Sequence, residues 1–341
     1  MTLSELNLSS DNILWDLCFS RYQLATLTVA DELGLFEKIN NNSITIDELS
    51  SVLEISSRAV EVLIRLLSGF KLININKNYL SLTATAKDYL LPTSYFYWGK
   101  MLSGLRAKEE HKILMTAIKK TQHQLKHNGQ SFTEMWQEGT ITAEAARDFT
   151  DKMHATIFGP AITAVNSGIF ENINHLVDMG GGAGSFDIAL ISKYPDKKAT
   201  MFDLPQVCDV AREYIRQFKL SEKIKIYPGN FFKDSWPKDC DGMLFSNVFH
   251  DWPKSICYEL ARKAYEALTP DGTIFVHEML LDDNNDSPLI SVNFDQLMFI
   301  NHQSQQFVRD ELFDLLTEIG FKSPQVINTF GYFSMVSAKK I

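Results

Sequence analysis

Cysteine is scarce in this chain of 341 residues. There are four, Cys18, Cys208, Cys240 and Cys257, and no two form a Cys-x-x-Cys pair. That spacing excludes a zinc knuckle, gives no basis for a disulfide framework and suits a reducing compartment. Basic charge is also in deficit. The formal net charge is -9, so no broad positive face is available for phosphate backbones or anionic lipid. Neither nucleic acid nor a membrane is expected as a partner. No apolar run reaches the roughly 20 residues of a membrane-spanning helix. The opening MTLSELNLSS lacks the pattern of a secretory signal, and a cytoplasmic location is the expectation. Internal repeats and low-complexity tracts are missing too. What is present is 45% hydrophobic residues, enough for a sizeable core, over a length that suits two domains.

Residues 12–40 read as helix, with an apolar stripe through Leu14, Leu17, Leu24, Leu27 and Leu35. Thr45 followed by Glu48 is a capping box that opens a short helix. Ser56 and Ser57 cap a second, which Gly69 ends. LININ and YLSLT then alternate like two strands joined at Asn76–Asn78. Helix, helix and hairpin in that order describe a winged helix. Between Thr45 and Leu90 there are five acidic and five basic residues, so the module has no basic excess for DNA, and a packing and dimerising role is the better reading. Apolar helical faces before Leu91 exceed what so small a module can bury, which predicts a homodimer. Residues 95–170 read as amphipathic helix, and FTDKMHATIFGPAITAV sets Phe149, Met153, Ile157 and Ile162 along one face.

From His175 short β-branched runs (HLVDMG, ATMFDL, IKIYPG, GMLFSNV, TIFVHEML) alternate with helical segments near Phe186–Lys193, Val207–Phe218, Ser255–Leu268 and Arg309–Ile319. Such alternation implies a parallel sheet covered by helices on both faces. The end differs: QVINTF and YFSMVSAK meet at Gly331 with no helix between them, so an antiparallel hairpin closes the chain. The expected division is 1–95, a winged-helix-like dimerisation domain; 96–157, a helical linker with pocket helices; and 158–341, a Rossmann-like α/β domain.

VDMGGGAG leaves a strand and enters a helix. Glycines there permit a tight turn and a close approach of ligand to backbone. Asp203 ends the next strand, 19 residues beyond Gly184, where an acid can accept hydrogen bonds from a ribose diol. A dinucleotide loop would want a third glycine at Ser185, and a dinucleotide fold does not usually end in this hairpin. An S-adenosyl-L-methionine fold needs neither that glycine nor a pyrophosphate site.

VDMGGGAG, MFDLPQV, GNFF, FSNVFHDWP, EALTPDG and the glutamate of VHEMLL occur in one order and spacing. In this the chain resembles, over nearly its whole length, the class I S-adenosylmethionine-dependent small-molecule O-methyltransferases of the caffeate and acetylserotonin type. That family also begins with a winged-helix dimerisation domain. The resemblance implies that Asp178, Gly180 and Gly182 lie against the methionine part of the cofactor. It implies Asp203 on the ribose, Leu204, Asn230 and Phe231 around the adenine, and Ser246 where the family often has a cofactor-contacting lysine. His250 falls at the catalytic base and Glu278 at the acid that orients it. Phe149, Met153 and Met298 fall at acceptor-pocket positions. Two positions depart from the family: Asn230 replaces an aspartate, and Gln306 stands where a second acid is usual.

The chemistry reads the same way from the residues. Methyl transfer to a phenol of pKa ~10 needs a positioned base, and a histidine of ordinary pKa ~6.5 suits it. His250 follows the fourth strand and Glu278 ends the fifth, both at the edge where such sheets bind ligands. Asp251 reads as a structural, capping residue. His123 and His127 have i, i+4 spacing, but lie in a polar stretch without a companion acid and read as a solvated helix face, so no metal is expected. The rival readings are the same fold and cofactor used for N- or C-methylation or for a non-methylating reaction, and a winged-helix DNA regulator.

Overall fold

The structure is a computed structural model and describes residues 3, 6–41, 43–119, 126–127, 130–302 and 304–341. In chain order its N-terminal elements are α1 (Asn12–Glu32), α2 (Leu35–Asn41), β1 (Ile44–Thr45), α3 (Ile46–Leu53), α4 (Ser57–Gly69), β2 (Ile73–Asn76), β3 (Tyr79–Leu82), α5 (Ala84–Tyr89), α6 (Gly99–Leu105) and α7 (Glu109–Lys119). Short strands β4 (Lys126–His127) and β5 (Gln130–Ser131) follow, then α8 (Phe132–Glu138) and α9 (Ala143–Asn166). Next come β6 (His175–Met179), α10 (Ser185–Lys193), β7 (Lys198–Asp203), α11 (Pro205–Gln217), β8 (Ile224–Pro228), β9 (Cys240–Ser246), α12 (Lys254–Ala267) and β10 (Leu268–Glu278). The chain ends with α13 (Leu289–His302), α14 (Arg309–Ile319), β11 (Lys322–Phe330) and β12 (Phe333–Lys339).

These elements form two compact units. One comprises Asn12–His127 with Leu281–Gln306, the other Met1–Asp11, Asn128–Leu280 and Phe307–Ile341.

In the first unit local chemistry fixes the short helices. Thr45 accepts the Glu48 amide at 3.3 Å while Glu48 accepts the Thr45 amide at 2.8 Å, closing the capping box of α3. Ser56 accepts from the Ala59 amide and starts α4. β2 and β3 pair antiparallel about Lys77–Asn78, both in the left-handed region, as a two-residue hairpin with right-handed twist requires. β1 adds a third strand. The single helix expected over 12–40 is two, because the chain turns at Gly34 with φ +66°. The stripe is divided: Leu35 is buried in the core and Leu27 packs against it, whereas Leu14 and Leu17 are 62% and 64% exposed. The interior is built by Val29, Phe36, Leu63, Leu67, Leu114 and Phe299 among others.

α13 is held in this unit by charge. Asp295, fully buried, receives Arg58 through both carboxylate oxygens at 2.6 and 3.0 Å and Arg65 at 2.8 Å. The Gln306 amide adds a fourth donor at 2.9 Å. Burial opposes ionisation of Asp295, but the two guanidiniums outweigh it and hold the carboxyl below its usual range.

In the second unit seven strands run in the order β11-β12-β10-β9-β6-β7-β8. The five strands β6 to β10 are parallel, and β12 pairs antiparallel with both β10 and β11. This is a mostly parallel α/β sheet ending in an antiparallel hairpin, as the sequence pattern predicts. Phe245, Met243, Val276, Phe307, Leu312 and Leu316 belong to the core under one face.

Replacing Asp295 with alanine leaves two guanidiniums without their shared acid. We expect a loss of about 3–5 kcal/mol, read by chemical denaturation at neutral pH. The acid's depressed pKa makes its contribution present above the unfolded carboxylate pKa and lost on acidification, so the gap to wild type should close as pH falls. A loss under ~1 kcal/mol would refute the anchoring role.

Candidate active site

The winding of the sheet reverses between β6 and β9. β7 and β8 lie on one side of β6, while β9, β10 and the hairpin lie on the other, so a crevice opens beyond the C-terminal ends of β6 and β9. The glycine loop leaves β6 there and His250 follows β9.

The loop is drawn onto β7 by the Gly180 amide, which donates to the Phe202 carbonyl at 2.8 Å. Gly180 has φ +74°, and a Cβ on it would meet Val248 and Phe231 at 3.0 and 3.1 Å. At Gly182, φ +58°, the space beside the backbone is open. The Gly182 amide donates to Asp203 Oδ2 at 3.0 Å and the Leu204 amide to Oδ1 at 2.7 Å. Each oxygen keeps a lone pair for a ligand.

Asp178, Asp187 and Asp203 are all buried around this loop. Burial raises Asp203 to about 6 against the opposing pull of its two amide donors, and raises Asp187 to about 7. Asp178 is also raised well above the usual carboxylate range, through burial and then through the charges of Asp187 and Asp203. Among the described residues, Asp178 Oδ1 and both Asp187 oxygens have no hydrogen-bond partner. The open space at Gly182 and the unpartnered Asp178 oxygen fit a ligand that brings hydrogen-bond donors and positive charge.

A 3₁₀ turn, Phe249–Asp251, follows β9. Glu278, the last residue of β10, organises it. Glu278 Oε1 accepts the Phe249 amide at 3.1 Å and the His250 amide at 3.3 Å, and Oε2 lies 2.5 Å from His250 Nδ1. That bond commits Nδ1 to Glu278, while Nε2 has Asp251 Oδ1 at 3.5 Å. Burial disfavours the imidazolium, but the Glu278 and Asp251 carboxylates outweigh it and raise His250 to about 9. Asp251, read from sequence as structural, thus bears on the charge of His250. The ion pair supports the fold below the ordinary histidine pKa of ~6.5, and that support is lost as pH rises through about 9.

Leu204 is the N-cap of α11 and is buried. Asn230 uses both ends of its amide internally: Nδ2 donates to the Gln137 carbonyl at 3.0 Å and Oδ1 accepts the Phe232 amide at 2.8 Å. Phe231 stacks on Phe202 with ring centroids 5.9 Å apart. Ser246 is half-buried at the end of β9. Phe149 and Met153 are half-buried on α9, with Phe149 against Trp136. Met298 and Gln306 are buried in the other unit, and the Gln306 amide side chain has no partner there. His123 lies outside the described residues, as does the side chain of His127. Among the described residues no cluster of three or more His, Cys, Asp or Glu has metal-holding geometry.

Residues 111–322 match the family profile described as the O-methyltransferase domain. The chain belongs to the O-methyltransferase family. It is 26% identical over 309 residues to 3-hydroxy-5-methyl-1-naphthoate 3-O-methyltransferase of Streptomyces sahachiroi, covering 90% of this chain and 88% of that one. Over 344 residues it is 25% identical to human acetylserotonin O-methyltransferase, covering 92% and 93%. Among solved structures it resembles an O-methyltransferase family 2 protein from Planctomyces limnophilus in complex with apigenin, with TM-score 0.87 and 22% identity over 100% and 99% of the two chains. It also resembles human N-acetylserotonin methyltransferase in complex with SAM, with TM-score 0.60 and 23% identity over 98% and 99%.

In this O-methyltransferase the sequence reading missed two polar residues beside the site, Asp187 and His277. Asp187 is an acid within the apolar run SFDIALIS, a signal that a buried group needs a partner. His277 occupies an interior strand position in TIFVHEML. His154 Nδ1 lies 2.9 Å from Ser185 Oγ, tying α9 to the start of α10; no local pattern announces that contact.

Asp187→Asn tests the carboxyl cluster. Because its folded pKa is raised, wild-type stability falls as pH climbs from the unfolded value of ~4 through about 7. The asparagine variant escapes that cost, so its melting temperature should exceed wild type clearly at pH 8 and little at pH 5. An equal or opposite difference at the two pH values would remove the strained-acid account.

Proposed function

We propose that the enzyme transfers a methyl group from S-adenosyl-L-methionine to a hydroxyl of a small aromatic molecule, with His250 Nε2 as the general base. The buried His250–Glu278 pair at the switch-point crevice carries this reading. When bound, the cofactor supplies an electrophilic methyl whose transfer to oxygen breaks a carbon–sulfur bond and leaves a neutral thioether. The glycine loop and Asp203 would hold the methionine and ribose parts, with Leu204 and Phe231 toward the adenine. Asn230, its amide engaged with backbone, would shape that wall rather than read the base.

The three carboxyls around the loop support a cationic cofactor over a dinucleotide. A pyrophosphate would bring negative charge beside acids that already resist ionising; a sulfonium and an ammonium relieve them. Glu278 fixes the His250 ring and keeps the proton on Nδ1, so Nε2 takes the acceptor's hydroxyl proton as the new carbon–oxygen bond forms. Phe149, Met153 and Trp136 offer apolar surface for an aromatic acceptor. The relatives named for a hydroxynaphthoate and for acetylserotonin support that acceptor class.

A base raised to about 9 is protonated at neutral pH, so kcat/KM should rise with pH toward that value. His250→Ala should cost about 10²- to 10⁴-fold in turnover with cofactor affinity nearly unchanged. Glu278→Gln should lower the rate less and move the acid limb to lower pH. A labelled-methyl assay over a panel of phenols reads all three. Activity within about threefold of wild type in His250→Ala would refute the base.

The helix-helix-hairpin module would be a winged-helix dimerisation domain, in a homodimer built on α1. Ile13, Leu14, Leu17 and Leu24, all exposed, make one apolar face whose chemistry suits a second copy of itself. The four free cysteines suit a reducing, cytoplasmic setting. Light scattering at micromolar concentration should give twice the chain mass, and the double variant Leu14→Glu, Leu17→Glu should halve it. A wild-type monomer would refute the dimer.

A further inference from the structure

Next to Glu278 on β10 is His277, whose side chain takes the other face of the strand. Its ring is fully buried, edge-on to Phe186 at 5.1 Å and stacked on Phe333 at 5.0 Å. Two hydroxyls flank it: Ser246 Oγ at 3.1 Å from Nδ1 and Thr329 Oγ1 at 3.0 Å from Nε2.

The proton positions follow by elimination. The pairing of β11 with β12 slips between Asn328 and Phe330, making Thr329 the extra residue of a bulge, where a side chain is re-aimed. Its single hydroxyl proton is donated to the Phe333 carbonyl at 3.0 Å, and a carbonyl can only accept. Toward His277, Thr329 Oγ1 is therefore an acceptor, and His277 Nε2 carries the hydrogen. Among the described residues no ion pair or hydrogen bond to a carboxylate supports an imidazolium here, and burial pushes this histidine down to about 3. Nδ1 is bare, so the Ser246 hydroxyl must donate to it. The proton of Ser246 thus points into the sheet, and its lone pairs are left for the crevice.

Ser246 lies two residues beyond the Leu244–Asp178 pair of β9 and β6, level with Gly180. An ammonium brings only hydrogen-bond donors, so it needs acceptors beside the glycine loop. We propose that Thr329 and His277 are positioning residues that lock Ser246 Oγ as a hydrogen-bond acceptor for the α-ammonium of the bound cofactor. This rests on the S-adenosylmethionine reading. A lysine, frequent at this position in the family, would repel that group; a serine free to rotate would offer its proton half-heartedly to either side.

Two measurements test it. Long-range ¹⁵N–¹H correlation spectra of the wild-type chain should show His277 as the Nε2–H tautomer, unchanged from pH 5 to 9; an Nδ1–H tautomer or an imidazolium in that range overturns the proposal. Calorimetry then compares S-adenosylhomocysteine with its analogue carrying hydrogen in place of the α-ammonium. Wild type should prefer the ammonium form by about tenfold or more, as a charge-assisted bond would give. His277→Phe keeps the aromatic stack but has no nitrogen, and should lose most of that preference while binding the deaminated analogue as before. His277→Gln, with an amide oxygen for the serine, should restore part of it. Should His277→Phe fail to fold, Thr329→Val frees the same ring and should weaken the preference in the same direction. Equal losses for both ligands, or no preference in wild type, refute the role of Ser246. Binding of neither ligand by wild type refutes instead the cofactor reading beneath it.

Discussion

A single buried carboxylate, Glu278, fixes the geometry on which the crevice depends. It accepts two consecutive backbone amides and one imidazole nitrogen, joining the end of β10 to the turn after β9. A buried charge is tolerated only when its hydrogen-bonding capacity is met, and here meeting it forces the 3₁₀ turn. His250 then has one orientation of its ring, with Nδ1 committed to the acid. The histidine is held by the requirement of the acid as much as by its own.

Adjacent residues on one strand show how environment sets proton chemistry. Glu278 and His277 project to opposite faces. On one face a histidine beside carboxylates is raised to about 9; on the other a histidine between two phenylalanines and two hydroxyls is pushed down to about 3. The first can be charged and can carry a proton. The second stays neutral and can only fix the direction of its neighbours' hydrogens. One sheet edge thereby presents a titrating group and a non-titrating polar chain side by side.

Much of this was legible where the determinant is local. The capping box at Thr45–Glu48, the order of strands and helices from His175 and the glycine loop are all short-range chemistry, and each occurs at the expected residues. The break in the helix over 12–40 was missed because an apolar stripe from Leu14 to Leu35 gives no sign of the left-handed turn at Gly34. Non-local features left no trace. α13 lies more than 200 residues along the chain from the arginines that hold it, and nothing in LISVNFDQLMFINH identifies Asp295 as the partner of Arg58 and Arg65. The internal use of the Asn230 amide depends on a carbonyl 93 residues away.

The acids around the glycine loop connect stability to binding. Burying Asp178, Asp187 and Asp203 together costs free energy, since each raised pKa marks a charge held less comfortably than in water. Such strain persists where a ligand relieves it. Positive charge brought to the loop lowers those pKa values, and the same coupling must appear as tighter binding when the carboxyls are ionised, because linkage is reciprocal. A sulfonium that becomes a neutral thioether on giving up its methyl loses part of that attraction while keeping its ammonium. The cluster therefore discriminates by charge between the cofactor before and after transfer. Ser246, an uncharged acceptor aimed at the ammonium, holds both forms alike.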